Sequence, residues 1–153
     1  MSVVKPRFTY ADYVRFPADG KRYELIHGER YVAPSPSPRH QTVVAELHAL
    51  LSAYLRQHKA GVAFLAPLDV VLADDDVVQP DLLVILHHRR HIIGDSAIHG
   101  APDILVEVLP PSTRSQAERV KRELYAQPAI SEYCGSSIQR PIGCSFGAGK
   151  ARR

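Results

Sequence analysis

Tryptophan is absent from this chain, and cysteine occurs only twice. Cys134 and Cys144 are too few and too isolated for a zinc cage or a disulfide framework. No apolar run is long enough to span a bilayer, and the first residues carry no apolar stretch of the secretory kind. A cytoplasmic location with no membrane partner is therefore the default expectation. A dominant charge sign is missing too: 19 Lys and Arg face 16 Asp and Glu, for a net charge of +3. Mild basicity permits a nucleic-acid partner without arguing strongly for one, because a clustered basic face is the better sign. What is present suits one soluble domain with a real core: 153 residues, 45% hydrophobic and 23% charged.

Two apolar runs, each carrying an acid, organise the rest. Val77 to Leu86 contains Asp81 near its start, and Ala101 to Leu109 contains Glu107 near its end. Near-continuous Val, Leu and Ile is how a strand buried on both faces reads. An ionised carboxylate there is costly unless it is paired or binds a metal. If the strands run antiparallel, the two acid-bearing ends lie side by side. Two hard oxygen ligands then meet at a sheet edge, as Mg²⁺ requires. The plainer alternative has Asp81 capping a turn after Pro80 and Glu107 pairing with a surface Arg.

The remaining elements follow in chain order. Thr9 to Phe16 predicts a short helix with Thr9 and Asp12 as a capping box. Arg22 to Val32 reads as a hairpin turning at His27-Gly28. Glu24 and Glu29 flank that turn as solvent-facing strand charges, and Glu24 is also one candidate for a third acid. Pro34-Ser35-Pro36-Ser37-Pro38 is an extended linker. From Arg39, apolar residues recur at helical spacing to Leu55, with His40 in the first turn and Gly61 expected at the C-terminal cap. Val62 to Leu72 is one core strand, or two broken at Pro67. Asp74-Asp75-Asp76 lacks calcium-loop spacing and reads as a solvated hairpin turn. His87-His88-Arg89-Arg90-His91 lacks zinc-pair spacing and reads as an exposed helix start or loop, with a further loop from Ile92 to Gly100. Pro110-Pro111-Ser112-Thr113 must end the Glu107 strand. Ser115 to Ala126 is helical, with Val120 and Leu124 in its buried stripe. Lys121 borders that stripe and can snorkel towards the sheet edge where Asp81 and Glu107 meet. From Cys134 the Gly, Ser and Arg composition is that of an irregular tail. Two segments result: a domain over 1–133 and a tail over 134–153.

An ordered set of strings carries a resemblance: Lys21-Arg22-Tyr23-Glu24-Leu25-Ile26-His27-Gly28-Glu29, Ser37-Pro38-Arg39-His40-Gln41, Pro67-Leu68-Asp69-Val70, Gln79-Pro80-Asp81-Leu82, Glu107-Val108-Leu109-Pro110-Pro111-Ser112-Thr113, and Lys121-Arg122-Glu123-Leu124-Tyr125 with Glu132-Tyr133. Together they resemble the bacterial Uma family of restriction-endonuclease-like proteins, in the PD-(D/E)xK nuclease superfamily. The likeness runs from about Thr9 to Tyr133. It implies an α/β fold of the restriction-endonuclease-like kind, a mixed β-sheet flanked by helices, with a divalent metal at the sheet edge. Asp81 matches the motif aspartate and Glu107 the second acid. Leu109 stands where the superfamily lysine usually sits, and Lys121 occupies the place to which the family's lysine has migrated. Glu24 and His40 match frequent family residues in supporting places. The implied chemistry is DNA phosphodiester hydrolysis, with Mg²⁺ or Mn²⁺ held by Asp81, Glu107 and the Val108 carbonyl. Lys121 would orient or deprotonate the water, and Arg114, Arg119 and Arg122 would contact backbone phosphates.

Three departures qualify the likeness. Pro110 replaces a common serine, and Ala117 a common acid. After Tyr133 the family continues with a Trp-Ile-Val-Asp-like strand, whereas this chain reads Cys134-Gly135-Ser136-Ser137. That break predicts a shifted reading frame or a truncated gene, and with it the loss of a core strand. A non-catalytic remnant or nucleic-acid-binding module of the same fold stays open as the alternative, as do a hydrolase of another phosphoester and a homodimer.

Overall fold

Arg22–Ile26 and Glu29–Ala33 form a hairpin, β1 and β2, that turns at His27 and Gly28. Both turn residues have positive φ, 51° and 72°, which matches the twist of the strands they join. The structure, a computed structural model, describes residues 7–109, 116–126 and 132–137. Its other elements are α1 (Tyr10–Tyr13), α2 (Pro38–Gln57), β3 (Gly61–Leu65), β4 (Val70–Ala73), β5 (Asp76–Val78) and β6 (Leu82–Leu86). A 3-10 helix (His87–Ile92), β7 (Ile98–His99), β8 (Ile104–Leu109), α3 (Gln116–Tyr125) and β9 (Glu132–Ser137) complete them. Among the described residues, no helix is long and apolar enough to cross a membrane.

The class is the expected one, α/β with mixed strands flanked by helices, but the strands divide into two sheets. One has the order β2-β1-β5-β4-β7 and the other β3-β6-β8-β9. Most neighbours are antiparallel, while β4–β7 and β8–β9 are parallel. The run from Val77 to Leu86 is therefore not a single strand. Pro80 cannot donate to a ladder, so the chain leaves the first sheet after β5 and enters the second at β6. Pro67 does the same between β3 and β4, the broken-strand alternative, and the Ala66–Pro67 peptide is cis.

Side-chain alternation sets where the core sits. On β6, Leu83 and Ile85 face an inter-sheet core shared with Ile26, Val70, Leu105, Leu124 and Tyr125. Leu82 and Val84 face the other way, against Leu55, Leu47 and Leu51 of α2. Burial on both faces is what the unbroken apolar run predicted. The other face of β1, through Tyr23 and Leu25, packs on Tyr13 of α1.

Local chemistry explains most boundaries. Thr9 starts α1, and the Asp12 carboxylate accepts the Thr9 N–H at 2.9 Å, as in the expected capping box. Ser37 caps α2 by accepting the His40 N–H at 3.1 Å. The C-terminus of α2 departs from expectation. Lys59, at φ 49°, takes the left-handed position expected of glycine, while Gly61 opens β3. Ala60 N–H donates to Leu55 C=O at 2.9 Å and Lys59 N–H to Arg56 C=O at 3.3 Å, closing a Schellman turn. Gly61 is needed for a different reason: a Cβ there would lie 2.3 Å from the Ile85 carbonyl oxygen.

Three further expectations change. Asp76 is not a solvated turn residue; it is buried and accepts the His27 N–H at 2.7 Å. The loop from Ile92 to Gly100 contains β7, paired in parallel with β4. Cys134 does not begin an irregular segment, because β9 runs to Ser137 and pairs along β8 from Ile104–Glu132 to Leu109–Ser137. A strand therefore stands at the place where the loss of one was expected. Pro110 to Thr113, Cys144 and the rest of the chain from 138 lie outside the described residues.

Lys59→Gly should stabilise the chain by about 1 kcal/mol, since a side chain in the left-handed region costs roughly that much. A urea titration that moves the midpoint to lower concentration would count against this account of the helix end.

Candidate active site

Alternation brings three acids to one interior. Asp81 shares the face of Leu83 on the β6 side, Glu107 that of Leu105 on β8, and Glu24 that of Ile26 on β1. The β6–β8 register pairs Leu82 with Val106, so Asp81 and Glu107 are one step further along the same antiparallel pair. The polar end of the inter-sheet core is thus lined by carboxylates from three chain segments. All three are buried, Glu24 at 3% exposure, Asp81 at 7% and Glu107 at 8%.

Lys121, projecting from α3, answers them. Its Nζ lies 2.6 Å from Glu107 Oε1 and 2.8 Å from Glu24 Oε1. Tyr125, one helical turn on, donates its hydroxyl to Glu107 Oε1 at 3.0 Å. Asp81 Oδ2 accepts the Val108 N–H at 2.8 Å and meets His40 Nε2 at 2.9 Å. Asp81 Oδ1 and Glu107 Oε2 accept no hydrogen bond among the described residues. His40 Nδ1 is buried without a partner among them. A small open cavity adjoins Asp81 and His40, with Arg22, Gln41 and Leu65 on its walls.

The electrostatics follow from burial and crowding. Burial pushes the Glu107 carboxyl up to about 7, opposed by Lys121 and reinforced by Glu24 and Asp81. Burial also works against the Lys121 ammonium, but the Glu107 and Glu24 carboxylates outweigh it and hold the amine well above its ordinary range. Lys121 is therefore a firmly charged cation at neutral pH, whereas Glu107 lies close to its titration point.

A second ring of polar groups fixes this arrangement. Gln79 N–H donates to Glu24 Oε1 at 2.8 Å. The Gln79 side-chain amide donates to Asp69 Oδ1 at 2.7 Å and to the Tyr13 hydroxyl at 3.2 Å. Tyr13 in turn donates to the same Asp69 oxygen at 2.7 Å. Burial, with the Asp69 carboxylate beside it, raises the Tyr13 phenol above its ordinary range.

Five of the residues singled out from the sequence therefore come together: Asp81, Glu107, Lys121, Glu24 and His40. Val108 joins them through its backbone. Glu24 is not the solvent-facing charge that strand alternation allowed, because its face of β1 is the interior one. Arg119 and Arg122 are exposed on the helix that carries Lys121 but are not part of the cluster. Arg114 lies outside the described residues. Sequence reasoning gave no role to Tyr125, Gln79, Asp69 or Tyr13. Tyr125 was findable, since its spacing of four from Lys121 puts both on one helix face. The Tyr13–Asp69–Gln79 contacts join distant segments, and nothing local signals them. Among the described residues, no three His, Cys, Asp or Glu side chains form a ready-made metal cage.

Residues 10–139 match the model of the Uma2 family, which is described as "Putative restriction endonuclease". Among solved structures, the chain is similar to a "putative nuclease belonging to DUF820" from Anabaena variabilis. The two share 23% identity at a TM-score of 0.67, over 86% of this chain and 73% of that one. At that identity the likeness speaks for the fold. No curated protein matches the sequence.

Lys121→Met should raise the Glu107 titration point above about 7, because the ammonium is what opposes its rise. It should also cost about 3–5 kcal/mol at pH 8, as expected when one partner of a buried ion pair is removed. The sign with pH is fixed. A carboxyl whose folded pKa lies above its unfolded value takes up protons on folding, so the loss shrinks as pH falls towards 5. Carboxyl-selective NMR titration and urea unfolding at both pH values check the two statements; a Glu107 that titrates lower in the variant would refute the first.

Proposed function

The chain belongs to the Uma2 family of restriction-endonuclease-like proteins, and from that premise we propose that it is a Mg²⁺-dependent endonuclease hydrolysing DNA phosphodiester bonds. The observation that carries the reading is the Lys121 ammonium held against Glu107, across the strand pair from Asp81.

The donor set suits the ion. Mg²⁺ keeps several waters and takes one or two carboxylates together with substrate phosphate oxygens, so it needs no full protein cage. Asp81 and Glu107 each keep one oxygen without a protein hydrogen bond among the described residues, and those oxygens are the ligands proposed here. The Val108 carbonyl would be a third ligand, and Mn²⁺ would serve in place of Mg²⁺. When bound, the cation neutralises charge on the scissile phosphate and lowers the pKa of a coordinated water.

The protein's own groups supply the rest. Lys121 orients the attacking water and offsets the negative charge that develops on the phosphate. His40 holds Asp81 through Nε2, and the Val108 N–H donates to the same carboxylate oxygen, Oδ2. Arg119 and Arg122, exposed on the helix that carries Lys121, and Arg114 would contact backbone phosphates, which gives affinity without sequence specificity.

Plasmid cleavage with Mg²⁺ tests the reading. Asp81→Ala and Glu107→Ala should each lose more than about 100-fold in rate, beyond what removal of an outer-sphere partner costs. Lys121→Ala should lose about 10²–10⁴-fold, the range of a proton-transfer group. Cleavage that survives both acid substitutions would remove the site assignment. A wild-type chain that binds DNA but never cuts it would favour the non-catalytic module.

A further inference from the structure

Glu24 and Glu107 hold the same ammonium in different ways. Glu107 Oε1 is bonded by two side chains, Lys121 and Tyr125, both from α3. Glu24 Oε1 is also bonded by a main-chain donor, the Gln79 N–H. That donor is itself anchored, since the Gln79 side chain is tied to Asp69 and to Tyr13. Glu24 is the most buried of the three acids, at 3% exposure. One partner of Lys121 is thus also tied to the main chain, whereas the other is bonded by side chains of α3.

We propose that Glu24 is a positioning residue, the permanent counter-ion that keeps Lys121 in place once a divalent cation takes Glu107. The proposal rests on the reading of Asp81 and Glu107 as the cation's carboxylates. A cation and an ammonium cannot both be fully neutralised by one carboxylate, and they repel each other at close range. With Glu107 engaged and no second acid, a buried ammonium would swing out to water. The charges balance with Glu24 present: three carboxylates and one ammonium leave two negative charges, the complement of one divalent ion. Without Glu24, one negative charge is left. Glu24 itself makes no contact with the cation; it acts only through the amine.

The first test needs no metal. Glu107→Gln is an uncharged stand-in for a Glu107 already engaged. In that variant the Lys121 ammonium protons should exchange slowly, as nitrogen-detected NMR of labelled lysine would follow. Exchange as fast as in an exposed lysine would overturn the proposal. The second test measures Mg²⁺ affinity by calorimetry on the whole chain in four forms: wild type, Glu24→Gln, Lys121→Met and the double variant. Glu24→Gln should weaken binding by about tenfold in the wild-type background, the usual size for an outer-sphere partner. It should have no effect once Lys121 is gone. Equal weakening in both backgrounds would mean that Glu24 acts on the cation without Lys121 and would refute the proposal. Lys121→Gln replaces Lys121→Met if the latter melts below the assay temperature. A wild type that binds no Mg²⁺ would sink the nuclease reading and the cation's part in this proposal, and the Glu107→Gln measurement would still decide whether Glu24 by itself holds Lys121 in place.

Discussion

Everything at the polar end of this molecule depends on one ammonium placed among buried carboxylates. Asp81, Glu107 and Glu24 are all buried, and they face a common interior. Removing such charges from water costs several kcal/mol each, and mutual repulsion adds to that cost. Lys121 makes the cluster tolerable by meeting two of the acids at 2.6 and 2.8 Å. The compensation is incomplete, which is why burial still raises Glu107. An assembly of this kind is a poor source of stability. In the reading proposed above, its net negative charge is what a divalent cation would meet.

The apolar part of the fold carries the stability that the site does not. β6 is covered on both faces, by α2 on one side and by the inter-sheet core on the other. Leu83, Ile85 and Leu105 are essentially fully buried beside the acids. The same strands that supply the carboxylates therefore supply the closest packing. That coupling fixes the acids to a stiff support, as a site needing sub-ångström placement requires. Hydrogen bonds extend the support outward: Tyr13 of α1 reaches Asp69, Asp69 takes the Gln79 amide, and the Gln79 main chain holds Glu24.

The elements that were legible in the sequence are those governed by local rules. The hairpin turn at His27-Gly28, the Thr9–Asp12 cap and the periodicity of α2 all follow from neighbours within a few residues. Misread positions are those where a distant segment decides. Pro80 splits what looks like one strand because β5 and β6 belong to different sheets. Lys59 occupies a glycine's conformation because β3 must begin at once and Gly61 is reserved for close approach to Ile85. Cys134 to Ser137 look structureless by composition, yet β8 offers them a full ladder.

From the sequence alone came the types of residue the site contains and the candidates for it: two acids on apolar runs, a lysine on the helix that follows, and a further acid and histidine upstream. Strand periodicity and family likeness suffice for that, because both are written along the chain. Tertiary structure alone decided that Glu24 faces inward, that its carboxylate shares Lys121 with Glu107, and that a Gln–Asp–Tyr chain braces it. Those facts depend on how two sheets and a helix pack across a common core, and charge placement at such distances has no signature in sequence spacing.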